Sequence, residues 1–306
     1  MFSQIGMVLL LLVLTSVEMD KDTIDGIVKT MWFASGLIGT LAIFKSHPYH
    51  GEVTNRQVLL LFGQEADPNN QAAFLVIGIT ISLYMLLREK KYIVISIAIL
   101  IVNAYSLFIT GSRGGLVSIL VVVLFLLIAD AKNRTWKSNV LALVWMILIV
   151  YILYYVVNKY LPVEIYERLF EFETYEGGSE RDIIWKNTLE LFSANLNPIF
   201  GAGWGDYYGY NGYYMAVHNT YLSMLCDVGI IGFGLFFVPI IMCAMYLLCN
   251  KEMLPVLLLV CGLCPSFFID AINKRFFWSV IMLLFVLYNY VKKEKKLTAK
   301  ANKSRE

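Results

Sequence analysis

Gly201-Ala202-Gly203-Trp204-Gly205-Asp206 is followed by a tyrosine-rich turn, then by His218-Asn219-Thr220-Tyr221-Leu222, Asp227 and Gly229-Ile230-Ile231-Gly232. The segment begins as a polar, glycine-rich loop and ends as an apolar run long enough to cross a bilayer. His218 stands where loop becomes membrane helix. An imidazole at that boundary is wetted from one side and can reach lipid-borne chemistry from the other.

The rest of the chain has the composition such a span needs. Its 306 residues are 58% hydrophobic and 16% charged, with mean hydropathy +0.66. A soluble domain is about 45–50% apolar and about 25% charged. The apolar runs are of the length that crosses a hydrocarbon core about 30 Å thick, and the short alternating segments of a β-barrel are absent. The fold expected is therefore all-α, one polytopic membrane domain over residues 1–306. The net charge of +2 gives no reason to expect a nucleic-acid partner. The five cysteines, Cys226, Cys243, Cys249, Cys261 and Cys264, lie in or beside apolar runs. Cys261 and Cys264 have zinc-like spacing, but no second pair follows, so they read as small core residues. The run Met7–Val17 lacks a basic n-region and a small-x-small cleavage site and reads as a retained helix.

About nine spans are expected: Gln4–Val17, Gly26–Phe44, Ala72–Leu87, Tyr92–Thr110, Leu116–Ala129, Val140–Val157, His218–Leu248, Leu254–Ile269 and Phe276–Val291. Asp67 before Pro68 is an N-cap with proline at the first helical position. Gly111-Ser112-Arg113-Gly114-Gly115 reads as a turn. Residues 158–217 form a long, net-acidic loop. Within it Ser179-Glu180-Arg181-Asp182 outlines a capping box. Ile184, Trp185, Thr188, Leu189, Phe192 and Leu196 then recur at helical spacing, which predicts an amphipathic helix stopped near Pro198. The span after His218 is too long for one straight crossing, and Gly229–Gly234 marks a break.

Lys and Arg in alternate loops set the orientation. Arg88, Lys90 and Lys91, then Lys132, Arg134 and Lys137, Lys251 and the basic tail 292–306 fall on one side, the cytoplasmic one. Lys274 and Arg275 are mild exceptions. The Asp67 loop, the Arg113 turn and the acidic loop share the outer side.

Arg113, Arg181 and His218 thus meet on one outer face. A guanidinium near a bilayer is costly unless paired, and its planar fork suits phosphate; a helix start beside Arg181 adds positive potential. Taken singly, each arginine also reads as a snorkelling interfacial residue. Asp227 needs a partner, and an arginine is one candidate. Tyr207, Tyr208, Tyr210, Tyr213 and Tyr214 read as an interfacial aromatic belt rather than a sugar platform. Gly201-x-Gly203-x-Gly205 has no strand before it and is no dinucleotide fingerprint. His47-Pro48-Tyr49-His50 reads as solvated loop rather than metal site. With no other cluster of carboxylates or histidines beside the arginines, no metal and no cofactor is expected in the chemistry.

With these residues placed, the chain from about Arg56 to Arg275 resembles the O-antigen ligase and O-antigen polymerase superfamily, membrane glycan transferases with a C-type glycosyltransferase fold. The likeness rests on Asp67-Pro68-Asn69, Ser112-Arg113-Gly114, Arg181 followed by Trp185, Asn197-Pro198-Ile199-Phe200-Gly201-x-Gly203, and His218-Asn219-x-Tyr221-Leu222 leading to Gly229-x-x-Gly232. The resemblance implies metal-free transfer of a glycan from an undecaprenyl-diphosphate carrier to an acceptor hydroxyl. The acceptor is a glycan or lipid-glycan, and the place is the extracytoplasmic face of the bacterial cytoplasmic membrane. It makes His218 the catalytic residue and Arg113 and Arg181 the diphosphate ligands, with Arg56, Asp67, Asn219, Tyr221 and Asp227 supporting. The family often has Glu where Asp227 stands, and its members usually carry more N-terminal helices. The alternative class is a transporter or flippase of polyprenyl-linked sugars; the halves of this chain show no internal symmetry.

Overall fold

A computed structural model of the chain describes residues 2–50, 56–61, 63–131, 181–194, 197–205 and 216–303, with Tyr151, Tyr155, Lys159, Val163, Ile165 and Leu169 as single helical positions between. In chain order the helices are α1 Phe2–Ser16, α2 Lys21–Phe44, α3 Pro68–Tyr84, α4 Ile93–Ile109, α5 Arg113–Ala131, α6 Arg181–Ala194, α7 Thr220–Cys249, α8 Leu254–Leu263 and α9 Arg275–Lys303. Strands β1 Ser46–Pro48, β2 Gln57–Leu61 and β3 Gln64–Glu65 lie between α2 and α3. By length and composition, Lys21–Phe44, Pro68–Glu89, Thr220–Cys249 and Arg275–Lys303 can each cross a membrane. Ile5–Ser16, Ile93–Ile109, Arg113–Ile128 and Leu254–Phe267 are shorter apolar helices. The chain is a multi-pass helical membrane protein.

Two compact units divide it, Met1–Thr30 with Gly178–Glu306, and Met31–Gly177; the division falls inside α2. The second unit is built on α3. Asp67 caps this helix as expected, accepting from the backbone N–H of Asn69 (3.0 Å) and of Asn70 (2.9 Å). Its buried residues lie all round the helix, from Ala72 and Ala73 to Ile81 and Ser82, as in a bundle centre rather than a surface helix. Polar side chains tie neighbours together where lipid offers no alternative partner. Trp32 Nε1 donates to Ser82 Oγ at 2.8 Å, Asn103 Nδ2 to Ser35 Oγ at 2.9 Å, and Ser106 Oγ to the Gly39 carbonyl at 2.7 Å.

In the first unit, α9 packs on α7, α8 and α1. Phe277 and Leu284 are fully buried in it. Trp278 Nε1 donates to the Ile272 carbonyl at 2.7 Å.

Four expectations change. The fold is not purely helical: Lys45–Gln71 holds a three-stranded antiparallel sheet, order β1-β2-β3. Its central strand is an unbroken apolar run, Val58-Leu59-Leu60-Leu61, which hides the alternation of a half-buried strand. Arg113 belongs to helix: Ser112 acts as the cap, its Oγ accepting from Gly115 N at 3.3 Å and its carbonyl from Leu116 N at 3.2 Å, so two glycines are tolerated in the first turn. The loop expected from residue 158 is helical at Lys159, Val163, Ile165 and Leu169, and Ile165 and Leu169, four apart, are both buried. The tail after residue 291 continues α9 to Lys303; 29 residues at 1.5 Å rise make a helix of about 43 Å, longer than the hydrocarbon core, so its exposed lysine-rich end projects beyond it. The expected span Val140–Val157, apart from helical Tyr151 and Tyr155, lies outside the described residues, as do the loop Lys132–Lys137, Ser179-Glu180 of the capping box, and the tyrosines 207–214.

Candidate functional site

His218 precedes the N-cap of α7. Its backbone sits at φ 51, a left-handed conformation uncommon outside glycine, and the residue is exposed. Asn219 caps the helix: its Oδ1 accepts from Tyr221 N at 3.0 Å and Leu222 N at 3.2 Å. The first turn is then fastened to the α8–α9 connection. Thr220 Oγ1 donates to the Ile269 carbonyl and accepts from Ala271 N, both at 2.7 Å. Tyr221 donates its hydroxyl proton to the Leu263 carbonyl at 2.6 Å, and Ser223 donates to Asp270 Oδ1 at 2.6 Å. Asn219 and Tyr221 therefore hold the head of α7, immediately after His218.

A helix forms where the spacing placed one, although Leu189, expected on its apolar stripe, is 50% exposed and Leu196 lies outside the described residues. Arg181 is the first residue of α6, and Ile184, Thr188 and Leu191 are buried along one stripe. Trp185, one turn after Arg181, donates from Nε1 to the carbonyl of Val217 at 2.9 Å. Leu191, Val217 and Cys226 pack together beneath Trp185, Phe192, Ala202 and Leu222. One small core thus holds the Arg181 helix against the segment carrying His218.

Below His218, α7 breaks at Gly229 (φ 64, ψ −173). A helix break leaves carbonyls and N–H groups without intrahelical partners. The Asn197–Gly205 loop supplies them. Ala202 N donates to the Cys226 carbonyl (2.8 Å) and Gly203 N to the Asp227 carbonyl (3.0 Å); Ile230 N donates to the Pro198 carbonyl (2.9 Å) and Ile231 N to the Ile199 carbonyl (3.2 Å). The approach is backbone on backbone: a Cβ on Gly229 would lie 2.3 Å from the Ile199 carbonyl oxygen, and one on Gly201 2.5 Å from that of Asp227. The Asp227 carboxylate is buried and accepts from Gly205 N at 2.7 Å. The Gly205 N–H is thus one partner of the carboxylate for which the sequence suggested an arginine.

In the other unit, Arg56 is 1% exposed. It donates from Nε to the Thr110 carbonyl at 2.7 Å and from Nη2 to Asn69 Oδ1 at 3.0 Å. The same Asn69 oxygen accepts from Ser112 Oγ at 3.0 Å. Arg56 and the Asp67-Pro68-Asn69 turn thereby fix the turn from which α5 starts, and α5 starts with Arg113. Both candidate phosphate ligands, Arg113 and Arg181, thus occupy the first residue of a helix. A cation there opposes the helix dipole, by about 0.3–1 kcal/mol at an exposed end; an anion between the arginine and the helix start removes that conflict.

His47 and His50 are not simply solvated. Glu65 stands with both, hydrogen-bonded to His50 and 3.5 Å from His47 Nδ1. The His50 contact holds the Glu65 carboxyl below its ordinary range. Periodicity could not show this pairing, because it depends on the register of a sheet the sequence did not announce.

Residues 97–237 match the family model described as O-antigen ligase. No curated protein and no solved structure matches the chain. The matched stretch opens in α4 and closes in α7, and so includes Arg113, Arg181, Trp185, the Asn197–Gly205 loop and His218. Over these residues, a little under half of its length, the chain is similar to the O-antigen ligase family.

Proposed function

We propose that the chain transfers a glycan from an undecaprenyl-diphosphate carrier to the hydroxyl of a glycan or lipid-glycan acceptor at the extracytoplasmic face of the cytoplasmic membrane, as a polymerase or a ligase. Similarity to the O-antigen ligase family supports glycan transfer of the ligase or polymerase type. The observation that carries the reading to residues is the tie between Trp185 and Val217, which joins the Arg181 helix to the His218 segment.

His218 takes the proton of the acceptor hydroxyl. The oxygen attacks the anomeric carbon of the donor sugar, and the bond from that carbon to the diphosphate breaks. The lipid diphosphate leaves with the electron pair, and His218 is left protonated. Arg181 binds the departing phosphate oxygens in pairs, with the α6 N-terminus behind it. Arg113, at the head of α5, is proposed as a second diphosphate ligand. Their permanent charge suits them to the leaving group, and the imidazole suits the proton.

The broken α7 also fits a transporter, where unwound backbone coordinates cargo. Here the backbone groups at the break are engaged by residues 198–203, which favours the transferase. Surface-glycan analysis of a deletion strain tests the reading. Loss of long chains marks a polymerase, long chains stranded on the lipid carrier mark a ligase, and an unchanged surface glycan overturns both.

A further inference from the structure

The sheet of the second unit brings together groups that transfer does not use. In antiparallel pairs, residues directly opposite share a face, and residues two apart along a strand share it too. His47 pairs with Val58, and Glu65 pairs with Leu60. Val58 and Leu60 are two apart, so His47 on one edge strand and Glu65 on the other edge strand rise from the same face, across β2. His50 follows β1 and closes the group. Its backbone N–H donates to Glu65 Oε2 at 3.2 Å, and its ring is hydrogen-bonded to Glu65 Oε1. The His47 and His50 ring centroids are 4.7 Å apart. One ligand atom from each of the three residues lies within 4.8 Å of the others. Two of the three histidines in the chain are in this cluster.

We propose that His47, His50 and Glu65 bind one divalent late-transition-metal ion, with zinc as the fitting example. Two imidazoles and a carboxylate are a donor set zinc accepts, with a fourth position left for water. Both rings converge on one carboxylate oxygen. A proton can serve one such pair at a time, whereas an ion at their centre serves all three groups. The His50 N–H on Glu65 Oε2 fixes the carboxylate from outside the site, as supporting hydrogen bonds do around metal ligands. His47 Nδ1 also lies 2.6 Å from the Pro48 carbonyl. The ion ties β1 to β3 over a sheet whose strands are two to five residues long. Tyr49 N donates to the Arg56 carbonyl at 2.7 Å, so the braced sheet is continuous with the buried Arg56 clamp. The site stands independently of the transfer reaction.

The test is calorimetric titration of the full chain in lipid nanodiscs with Zn2+, in a Cys249→Ser background because that thiol is exposed. One ion per chain is expected. His47→Ala, His50→Ala and Glu65→Gln should each lower affinity by about tenfold or more, at least the loss seen for supporting residues of metal sites. His218→Ala, which changes the third histidine, should leave zinc affinity unchanged. Absence of one-to-one binding in the parent overturns the proposal. So does binding that all three ligand variants retain.

Discussion

The indole N–H of Trp185 donates to the carbonyl oxygen of Val217 at 2.9 Å, and by that one bond the helix headed by Arg181 is registered against the residue before His218. Trp185→Phe keeps an aromatic ring over Val217 and Leu191 but removes the donor. The fold should lose about 0.5–1.5 kcal/mol, the net worth of one hydrogen bond. Turnover should fall further than folded protein does, because the proposed base shifts relative to the helix proposed to hold the leaving group. Parallel measurement of thermal unfolding and single-turnover rate checks this; equal loss in both makes Trp185 a packing residue only.

The break at Gly229 gives a sharper contrast. Alanine there would adopt a left-handed φ, which costs about 1–3 kcal/mol, and its Cβ would also meet the Ile199 carbonyl oxygen. Gly234, five residues on, has nothing within 4 Å of its Cβ position. Gly229→Ala should abolish accumulation of folded protein, and Gly234→Ala should leave it unchanged. Size-exclusion profiles of the two variants in detergent decide it.

These two elements mark what a sequence can and cannot convey here. The Asp67 cap, the amphipathic helix before Pro198 and the Gly229 break were all legible, because each is a local matter of side-chain spacing or backbone conformation. What holds the break was not. The Asn197–Gly205 loop satisfies α7 through main-chain groups, and main-chain pairing leaves no trace in side-chain pattern. The sheet around His47 escaped for a related reason. Its strands are too short for periodicity, and the partnership of His47 with Glu65 follows only from register. Arg113 was legible as a residue but not as a helix start, since two glycines after it argue locally for a turn while Ser112 caps it as a helix.

Arg56 is placed by the structure as a clamp. Arg56→Met should leave the buried Thr110 carbonyl short of a donor, at a cost of about 1–3 kcal/mol, while Asn69 Oδ1 keeps its bond from Ser112 Oγ. Arg56→Lys should recover part of that loss, since an ammonium lacks the fork that reaches both acceptors. Thermal unfolding of the two variants tests this; stability equal to the parent in Arg56→Met would remove the clamp.

Orientation is open to direct labelling. Ser193 is exposed near the end of α6. In a Cys249→Ser background, Ser193→Cys should react with an impermeant maleimide added to the outer face of intact spheroplasts. Reaction only after the inner face is opened would put α6 in the cytoplasm and remove the proposed chemistry from the extracytoplasmic side.

The last prediction divides the work between His218 and the arginines. Transfer from a diphosphate needs the leaving group stabilised and the acceptor proton removed. Guanidinium does the first and, with a pKa above about 12, cannot do the second near neutrality. Imidazole, ordinarily near about 6.5, can. His218→Ala should therefore remove turnover and leave lipid-donor binding largely intact. Asn219 would still cap α7, and Thr220 and Tyr221 would still fasten it. Arg181→Ala and Arg113→Ala should weaken donor binding as well as turnover, by about 1.5–3 kcal/mol per lost charged hydrogen bond. Lysine should restore either only in part, because it makes no two-pronged contact. Donor binding and single-turnover rates on purified variants in lipid separate the roles. If His218→Ala keeps near-normal turnover, or loses donor binding as severely as the arginine variants, the base lies elsewhere and the left-handed histidine at the head of α7 serves only to start the helix.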